Sequence, residues 1–428
     1  MNRTDTGIRF SFWNERERNM GCFLRETKHF SVPCYNRGII KYRYACRYQC
    51  VVFAQAQHGD RAGDAEFFAK GSRTFARGIC SLSRRAASQR TRYPEALSRA
   101  GASPWWRRDD LVRKLWWERC LLPKQAKRDG CDVFISLYQS ATVMPKSIRH
   151  IMVVHDIIPK LFPEYLNNWR KRCHWQSVER GIRHADKLYA VSSRTEKDLV
   201  KHLGIPSSIV SVNRIDVDPI FKRAVTPERS AEVMEKYHLS PGYLYSGGGL
   251  EMRKNVEGVL RAYRALLDRE KTDHLAPGTP PLVISGKLLP QLSPLVTDVE
   301  RLVKELDLTP FVRLLDEVPQ RDLPALYAGA RLFLYPSLYE GFGLPVLEAM
   351  SVGTPVVTSK GSSLPEVGKD AVLYCRPDDR DDMAATIRNA LARRDLREML
   401  SKRGKERSEL FSWNDFTDRL IRSAIGTA

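Results

Sequence analysis

The residues best suited to chemistry lie in two glycine-containing segments. The first runs Tyr335-Pro-Ser-Leu-Tyr-Glu-Gly-Phe-Gly-Leu-Pro-Val-Leu-Glu-Ala-Met350, with Glu340 just before the glycine turn and Glu348 eight residues later. Gly341 and Gly343 permit close backbone approach. Pro345 suits the first turn of a helix, where its missing N–H would have no partner anyway. The amides of such a helix start, at the positive end of the helix dipole, can hold a phosphate. Carboxylates accept hydroxyl protons, so Glu340 and Glu348 suit the hydroxyls of one ligand approached from one side. The same pattern also suits an ordinary helix entry with a capping glutamate.

The second segment, Tyr245-Ser-Gly-Gly-Gly-Leu-Glu-Met-Arg-Lys-Asn255, again reads as strand, glycine turn and helix start. Gly248 sits in the turn, and Arg253 and Lys254 stand where cations can meet a diphosphate. A departing nucleoside diphosphate gains negative charge as its bond to a sugar breaks. Fixed cations and helix-start amides stabilise that transition state preferentially, with no metal required. The plainer alternative is a pair of solvated basic residues at a helix entry.

Residues of this kind need strands that end where the ligand binds, and the sequence supplies them from Cys131 onward. Asp132-Val-Phe-Ile-Ser and His150-Ile-Met-Val-Val-His155 read as short buried strands, followed by a helix over Trp169–His184, a strand over Lys187–Ser192 and a helix over Ser193–Leu203. After a Pro-containing stretch from Asp218 to Ser240, expected to be the hinge, a second series begins. Its strands are Tyr243–Ser246, Leu282–Ser285, Val312–Leu315, Leu332–Tyr335 and Pro355–Thr358, with helices between them. Short apolar strands alternating with helices predict parallel sheets covered on both faces, which bind ligands at the carboxyl ends of their strands. No repeat at a fixed period is visible. Residues 1–110 show no sustained period of 2 or 3.6, and no first strand is legible there.

A chain of 428 residues suits two domains. No apolar run approaches the roughly 18 residues that span a bilayer, and Met1–Phe30 lacks the apolar core of a secretory signal. Nine cysteines without regular spacing fit a reducing cytoplasm; Cys46 and Cys50 have no further pair at zinc-ligand spacing, so no metal site is expected. Of the formal net charge of +20, about +19 falls in residues 1–200. A basic half suits an anionic membrane surface, an acidic substrate or nucleic acid, or is simply a solvated face. Nothing resembles a nucleic-acid recognition motif, and no nucleic-acid partner is expected. The sequence sets no oligomeric state.

The segments Glu340-Gly-Phe-Gly-Leu-Pro-Val-Leu-Glu348 and Arg253-Lys254-Asn255 resemble the signatures of glycosyltransferase family four. The resemblance spans residues 130–420 and includes His155-Asp-Ile-Ile-Pro159, Phe162-Pro-Glu164 and Phe411-Ser-Trp413. It implies an α/β GT-B fold, two Rossmann-like domains facing across a cleft with a C-terminal helix crossing back to the first. The expected division is 1–225 for an acceptor-side domain, 226–410 for the nucleotide-sugar domain and 411–428 for the crossover helix. The resemblance further implies metal-independent transfer with retention, and no cofactor beyond the donor. Glu340 would contact the donor sugar or its phosphate, Glu348 the ribose, and Arg253 with Lys254 the diphosphate. Gly248, Gly341, Phe342, Gly343 and Leu344 would line the donor, and the backbone near Glu317 and Val318 would receive the base. His155 would reach the donor sugar from the other domain. Asp156 would orient His155 or lie near the acceptor, and Glu366 would stand near the donor pocket.

The sequence departs from the family in its first hundred residues, where a buried strand and a glycine-rich loop are expected. Gly38-Ile-Ile-Lys-Tyr42 is weakly similar to the family's loop, but Ile40 stands at the second glycine position, where a bulky side chain blocks backbone approach. The leading expectation is transfer of a hexose, mannose by its likeness to mannosyltransferases, from a nucleotide sugar to a polysaccharide or lipid-linked oligosaccharide acceptor. The enzyme would work in the cytoplasm, peripherally on the anionic inner face of a membrane. The alternatives are a synthase with a soluble sugar acceptor, and a nucleotide-sugar-binding protein that has lost transfer.

Overall fold

The computed structural model describes residues 7–14, 38–45, 51–54, 110–272 and 278–426. Cys46 and Cys50 lie outside the described residues, as does most of Met1–Phe30. Two compact units form, Met1–Arg214 with Trp413–Ala428, and Ile215–Ser412.

In the first unit, β1 (Gly7–Asn14) and β2 (Gly38–Ala45) pair antiparallel. A five-stranded sheet follows in the order β3 (Val51–Ala54), β4 (Val133–Ser136), β5 (Arg149–Val154), β6 (Lys187–Ala190) and β7 (Val210–Val212), all parallel. Three strands therefore form in a stretch where none was expected. Gly38–Tyr42 is part of a strand, with Ile40 opposite Phe12, rather than a glycine turn. All four residues of β4 are buried, as are five of the six in β5, which is why both read as unbroken apolar runs. Trp175, Val178 and Ile182 of the helix Trp169–Arg183 and Leu199 and Leu203 of the helix Ser193–Leu203 close over Met152, Val154, Leu188 and Ala190. Ser192 caps the second of these helices and Gly204, in the left-handed region, ends it.

The last helix, Trp413–Ile425, belongs to the first unit. Its buried face, Phe416, Leu420 and Ala424, has the i, i+4, i+8 spacing of an amphipathic helix. Asn213 donates to the Phe416 carbonyl at 2.9 Å and Arg149 to the Ser423 carbonyl at 2.8 Å.

The second unit holds six parallel strands in the order β10 (Val312–Leu315), β9 (Leu282–Ser285), β8 (Tyr243–Ser246), β11 (Ala330–Tyr335), β12 (Val356–Ser359) and β13 (Leu373–Cys375). The chain winds outward from β8 to β10, then returns to place β11 against β8 and winds the other way. The two strands at that reversal end in the two glycine-containing segments. One face is covered by the helices Val256–Thr272 and Arg380–Ala392, through Val259, Leu260, Tyr263 and Ile387 on Leu244, Leu282 and Leu332.

The division between units falls at Arg214 and Ile215, so the segment Asp218–Ser240, expected as a hinge, packs within the second unit. Thr226 caps the helix Pro227–Tyr237, and the buried Asp322 accepts from Lys236 at 2.6 Å and Tyr237 at 2.8 Å and pairs with Arg229. Three bonds to one buried carboxylate tie this segment to the start of the helix Leu323–Gly329 in the same unit. Among the described residues no helix is long and apolar enough to cross a membrane.

Candidate active site

β8 ends at Ser246, and the turn Gly247–Gly249 runs against the start of the helix that follows β11. A methyl group on Gly248 would come within 2.8 Å of Pro345 Cγ and 3.1 Å of Tyr335 Cε2, and its φ of +97° already disfavours any other residue. Gly343, at φ +108°, is the N-cap of the helix Leu344–Val352 and brings no side chain to its amides. The two glycine turns, nearly a hundred residues apart in sequence, thus adjoin at the strand reversal, where ligands bind in open α/β sheets.

Within this corner Glu340 is 6% exposed and meets four donors. Its Oε1 accepts from Lys254 Nζ, Tyr335 Oη and Ser337 Oγ, each at 2.8 Å, and its Oε2 from Arg253 at 2.8 Å. Lys254 also donates to Tyr335 Oη at 2.5 Å and lies over that ring, 5.1 Å from its centroid. Arg253 reaches on to the Tyr339 carbonyl at 3.1 Å and to Glu251 at 2.5 Å. Burial pushes the Glu340 carboxyl upward, but the charges of Lys254 and Arg253 and the hydrogen bonds outweigh it and hold the group down at about 2. Lys254 is pushed down by burial, against the pull of Glu340.

The backbone of Glu340 is fixed as firmly as its side chain. Its N–H donates to Ser362 at 3.0 Å, and its carbonyl accepts from Ser362 at 2.5 Å and Ser363 at 2.9 Å. Asn255, left-handed at φ +58°, donates to the Pro336 and Pro377 carbonyls and so pins Arg253 and Lys254 beside the first segment. Glu348 is buried one turn into its helix and accepts from Tyr327 at 3.1 Å.

Arg253, Lys254, Glu340 and Gly248 are therefore brought together, with Gly341, Phe342, Gly343 and Leu344 on the turn that joins Glu340 to the helix. Val318 lies in the loop after β10, two strands from β8. Glu366 is half-buried on the helix Leu364–Gly368, its carbonyl accepting from Arg407 at 2.9 Å. Sequence reasoning missed Tyr335 and Ser337 as partners of Glu340, although both stand in the quoted motif. It also missed Ser362 and Ser363, which reach Glu340 only through the placement of β12 beside β11.

His155 and Asp156 lie in the first unit, just past β5. His155 Nε2 lies 2.8 Å from the Leu137 carbonyl, which makes Nε2 the protonated nitrogen, and its amide donates to Gln139 at 3.1 Å. Asp156 accepts from the Ile158 amide at 3.0 Å, a local turn bond; the ring of His155 is held by Leu137. The loop carrying Leu137 and Gln139 is anchored by Glu118, fully buried in the π-helical turn Trp117–Leu121. Glu118 accepts from Tyr138 Oη at 2.6 Å and from the Ala141 amide at 3.0 Å. Among the described residues no group of three or more His, Cys, Asp or Glu gathers as a metal site.

Residues 235–407 match the family model for glycosyl transferases group 1, and residues 78–217 match that for glycosyltransferase family 4. The chain is similar to O-antigen chain mannosyltransferase B of Escherichia coli, 35% identical over 276 residues that cover 64% of this chain and 70% of that one. Among solved structures, it is similar to WaaG, a glycosyltransferase involved in lipopolysaccharide biosynthesis (TM-score 0.55, 18% identity, 71% of this chain and 80% of that one). It is similar also to Anabaena HepE in complex with UDP and glucose (TM-score 0.57, 16% identity, 73% and 83%). These likenesses show the GT-B fold.

Proposed function

Because this chain belongs to glycosyltransferase family four, we propose that it moves a hexose, mannose, from a nucleotide-diphosphate sugar to a polysaccharide or lipid-linked oligosaccharide acceptor. Transfer proceeds with retention and without a metal ion. The observation that carries this reading is the convergence of Arg253 and Lys254 on Glu340 beside the uncapped helix start at Gly343, at the ends of β8 and β11. Two cations held by one carboxylate, beside the positive end of a helix that no side chain caps, suit a diphosphate that gains charge as it leaves. The bond from the anomeric carbon to the diphosphate breaks with its electron pair on the diphosphate. The acceptor oxygen takes that place on the same face of the sugar and gives its proton to the departing diphosphate.

Glu340 is the organiser of this site: its four bonds set the geometry of both cations, and Glu348 stands a turn further in for the ribose. His155 serves the donor sugar. Mannose as the sugar, and a glycan as the acceptor, follow the likeness to the E. coli O-antigen mannosyltransferase. The basic first half supports work in the cytoplasm at the anionic face of a membrane, each cation near such a surface contributing about 1 kcal/mol.

A panel of nucleotide sugars tested for binding and slow hydrolysis decides the matter. Saturable binding with hydrolysis of one donor supports transfer; no binding to any member overturns it.

A further inference from the structure

The first unit holds a cavity of about 550 Å³ that the donor chemistry does not use. One wall is the helix Trp169–Arg183, which lines it with Arg172, Trp175, Glu179, Arg180 and Arg183. With Gln176, which also lines it, these positions follow i, i+3, i+4, i+7, i+8 and i+11, one face of a helix, yet four of the six carry charge. The other wall is Pro159, Lys160, Pro163 and Leu166, the direct continuation of the segment that begins at His155.

The charges are not balanced within the cavity. Glu179 is taken by Arg183 at 2.7 Å and lies 3.7 Å from Lys160, and Arg183 also donates to the Leu203 carbonyl. Arg172 and Arg180 have no ion-pair partner among the described residues. Their Cα atoms are two turns apart, about 12 Å along the helix, a span that two long side chains can close on one multiply charged group. Trp175 is 6% exposed, and its indole N–H finds no acceptor. A buried donor without a partner marks a place where one is expected. Prolines, Leu166 and the Trp175 ring supply an apolar lining beside the cations.

We infer that this cavity binds the pyrophosphate of a lipid-linked acceptor, with Arg172 and Arg180 on the anion and the apolar wall on the first carbons of the lipid. The assignment to an acceptor rests on the transferase reading above; the anion site itself does not.

The test uses the full chain with farnesyl pyrophosphate, inorganic pyrophosphate and farnesol as probes, titrated calorimetrically. Farnesyl pyrophosphate binds most tightly, farnesol does not saturate, and the exposed double variant Arg172→Ala with Arg180→Ala weakens both pyrophosphates at least tenfold. Lys171→Ala, which removes a charge from the same helix outside the cavity, leaves binding within twofold. Unchanged binding in the double variant places the pyrophosphate in the donor pocket and overturns the inference. So does equal weakening by Lys171→Ala, or a double variant that loses only its binding to phosphatidylglycerol vesicles. A chain that binds farnesyl pyrophosphate through Arg172 and Arg180 but no nucleotide sugar keeps the site and overturns only the transferase reading.

Discussion

The Lys254 ammonium and the Glu340 carboxylate meet at 2.8 Å although 86 residues separate them, and each side chain is 8% exposed. A buried pair of this kind adds little net stability compared with a well-packed apolar pair. Removing one member, however, strands the other charge and costs about 3–5 kcal/mol. The pair therefore fixes where the second glycine-containing segment lies on the first.

Glu340→Ala is expected to lower unfolding stability by about 3–5 kcal/mol and to abolish donor hydrolysis. Arg253→Ala, at a side chain that retains some solvent contact, is expected to lower turnover about 100- to 1,000-fold with a smaller loss of stability. Urea unfolding alongside donor hydrolysis separates the two effects. Equal activity in Arg253→Ala and wild type rules out a role for that guanidinium on the diphosphate.

Acid should expose the same cluster. Glu340 is held at about 2 in the folded chain against an ordinary value of 4.5, so its contribution is complete above pH 4.5 and is lost as the pH falls from there toward 2. Stability measured by denaturant between pH 6 and 3 should decline at the acid end, and Glu340→Gln, although less stable throughout, should show a shallower decline. Parallel curves for the two proteins would show that Glu340 is not the group responsible.

Gly248→Ala tests the meeting of the two turns. The added methyl, 2.8 Å from Pro345 Cγ at a φ of +97°, must displace either the turn or the helix start. Stability falls by about 1–2 kcal/mol from the left-handed backbone alone. Nucleotide affinity, read by calorimetry, falls with it, whereas Gly204→Ala, left-handed but with nothing within 4 Å of the added methyl, costs stability only.

Chelation tests the proposal that fixed cations stand in for a metal. If Arg253 and Lys254 provide the positive charge, as proposed, donor turnover in excess EDTA matches that in untreated buffer. Activity lost on chelation and restored by a divalent ion would falsify metal-free transfer.

Glu118→Ala leaves Tyr138 Oη and the Ala141 amide without their acceptor and frees the loop that holds His155. We expect a stability loss of about 1–3 kcal/mol and a lower kcat, with nucleotide affinity within twofold of wild type. A fall in affinity equal to the fall in kcat would place the effect in general unfolding instead.

The strands around the site were legible because parallel strands buried on both faces read as short apolar runs: Tyr243–Ser246 and Leu282–Ser285 are strands in the structure with those same bounds. The carboxylates and cations were legible because glycine turns at strand ends are few and carry a physical purpose. Ser362 and Ser363 were not, since only the register of β12 on β11 brings them to Glu340, and register is a long-range property. Glu118 was hidden for a different reason: a single glutamate in a helical stretch looks solvated until the π turn and the fold of Leu137–Ala141 enclose it. β1 and β2 carry a short period-2 alternation, Ile8, Phe10 and Phe12 with Arg9 and Ser11, and Ile40, Tyr42 and Tyr44 with Lys41 and Arg43, which is hard to pick out of a long stretch that does not sustain it.

The placement of the helix Trp413–Ile425 in the first unit makes the order of synthesis differ from the order in which cores can close. A ribosome delivers Ile215–Ser412 as one uninterrupted stretch, so the second unit has all its parts while the first unit still lacks a helix. Domains commonly fold in the order they emerge. Here the earlier-made unit is completed last, and until then Asn213 and Arg149 wait for the Phe416 and Ser423 carbonyls that have yet to leave the exit tunnel.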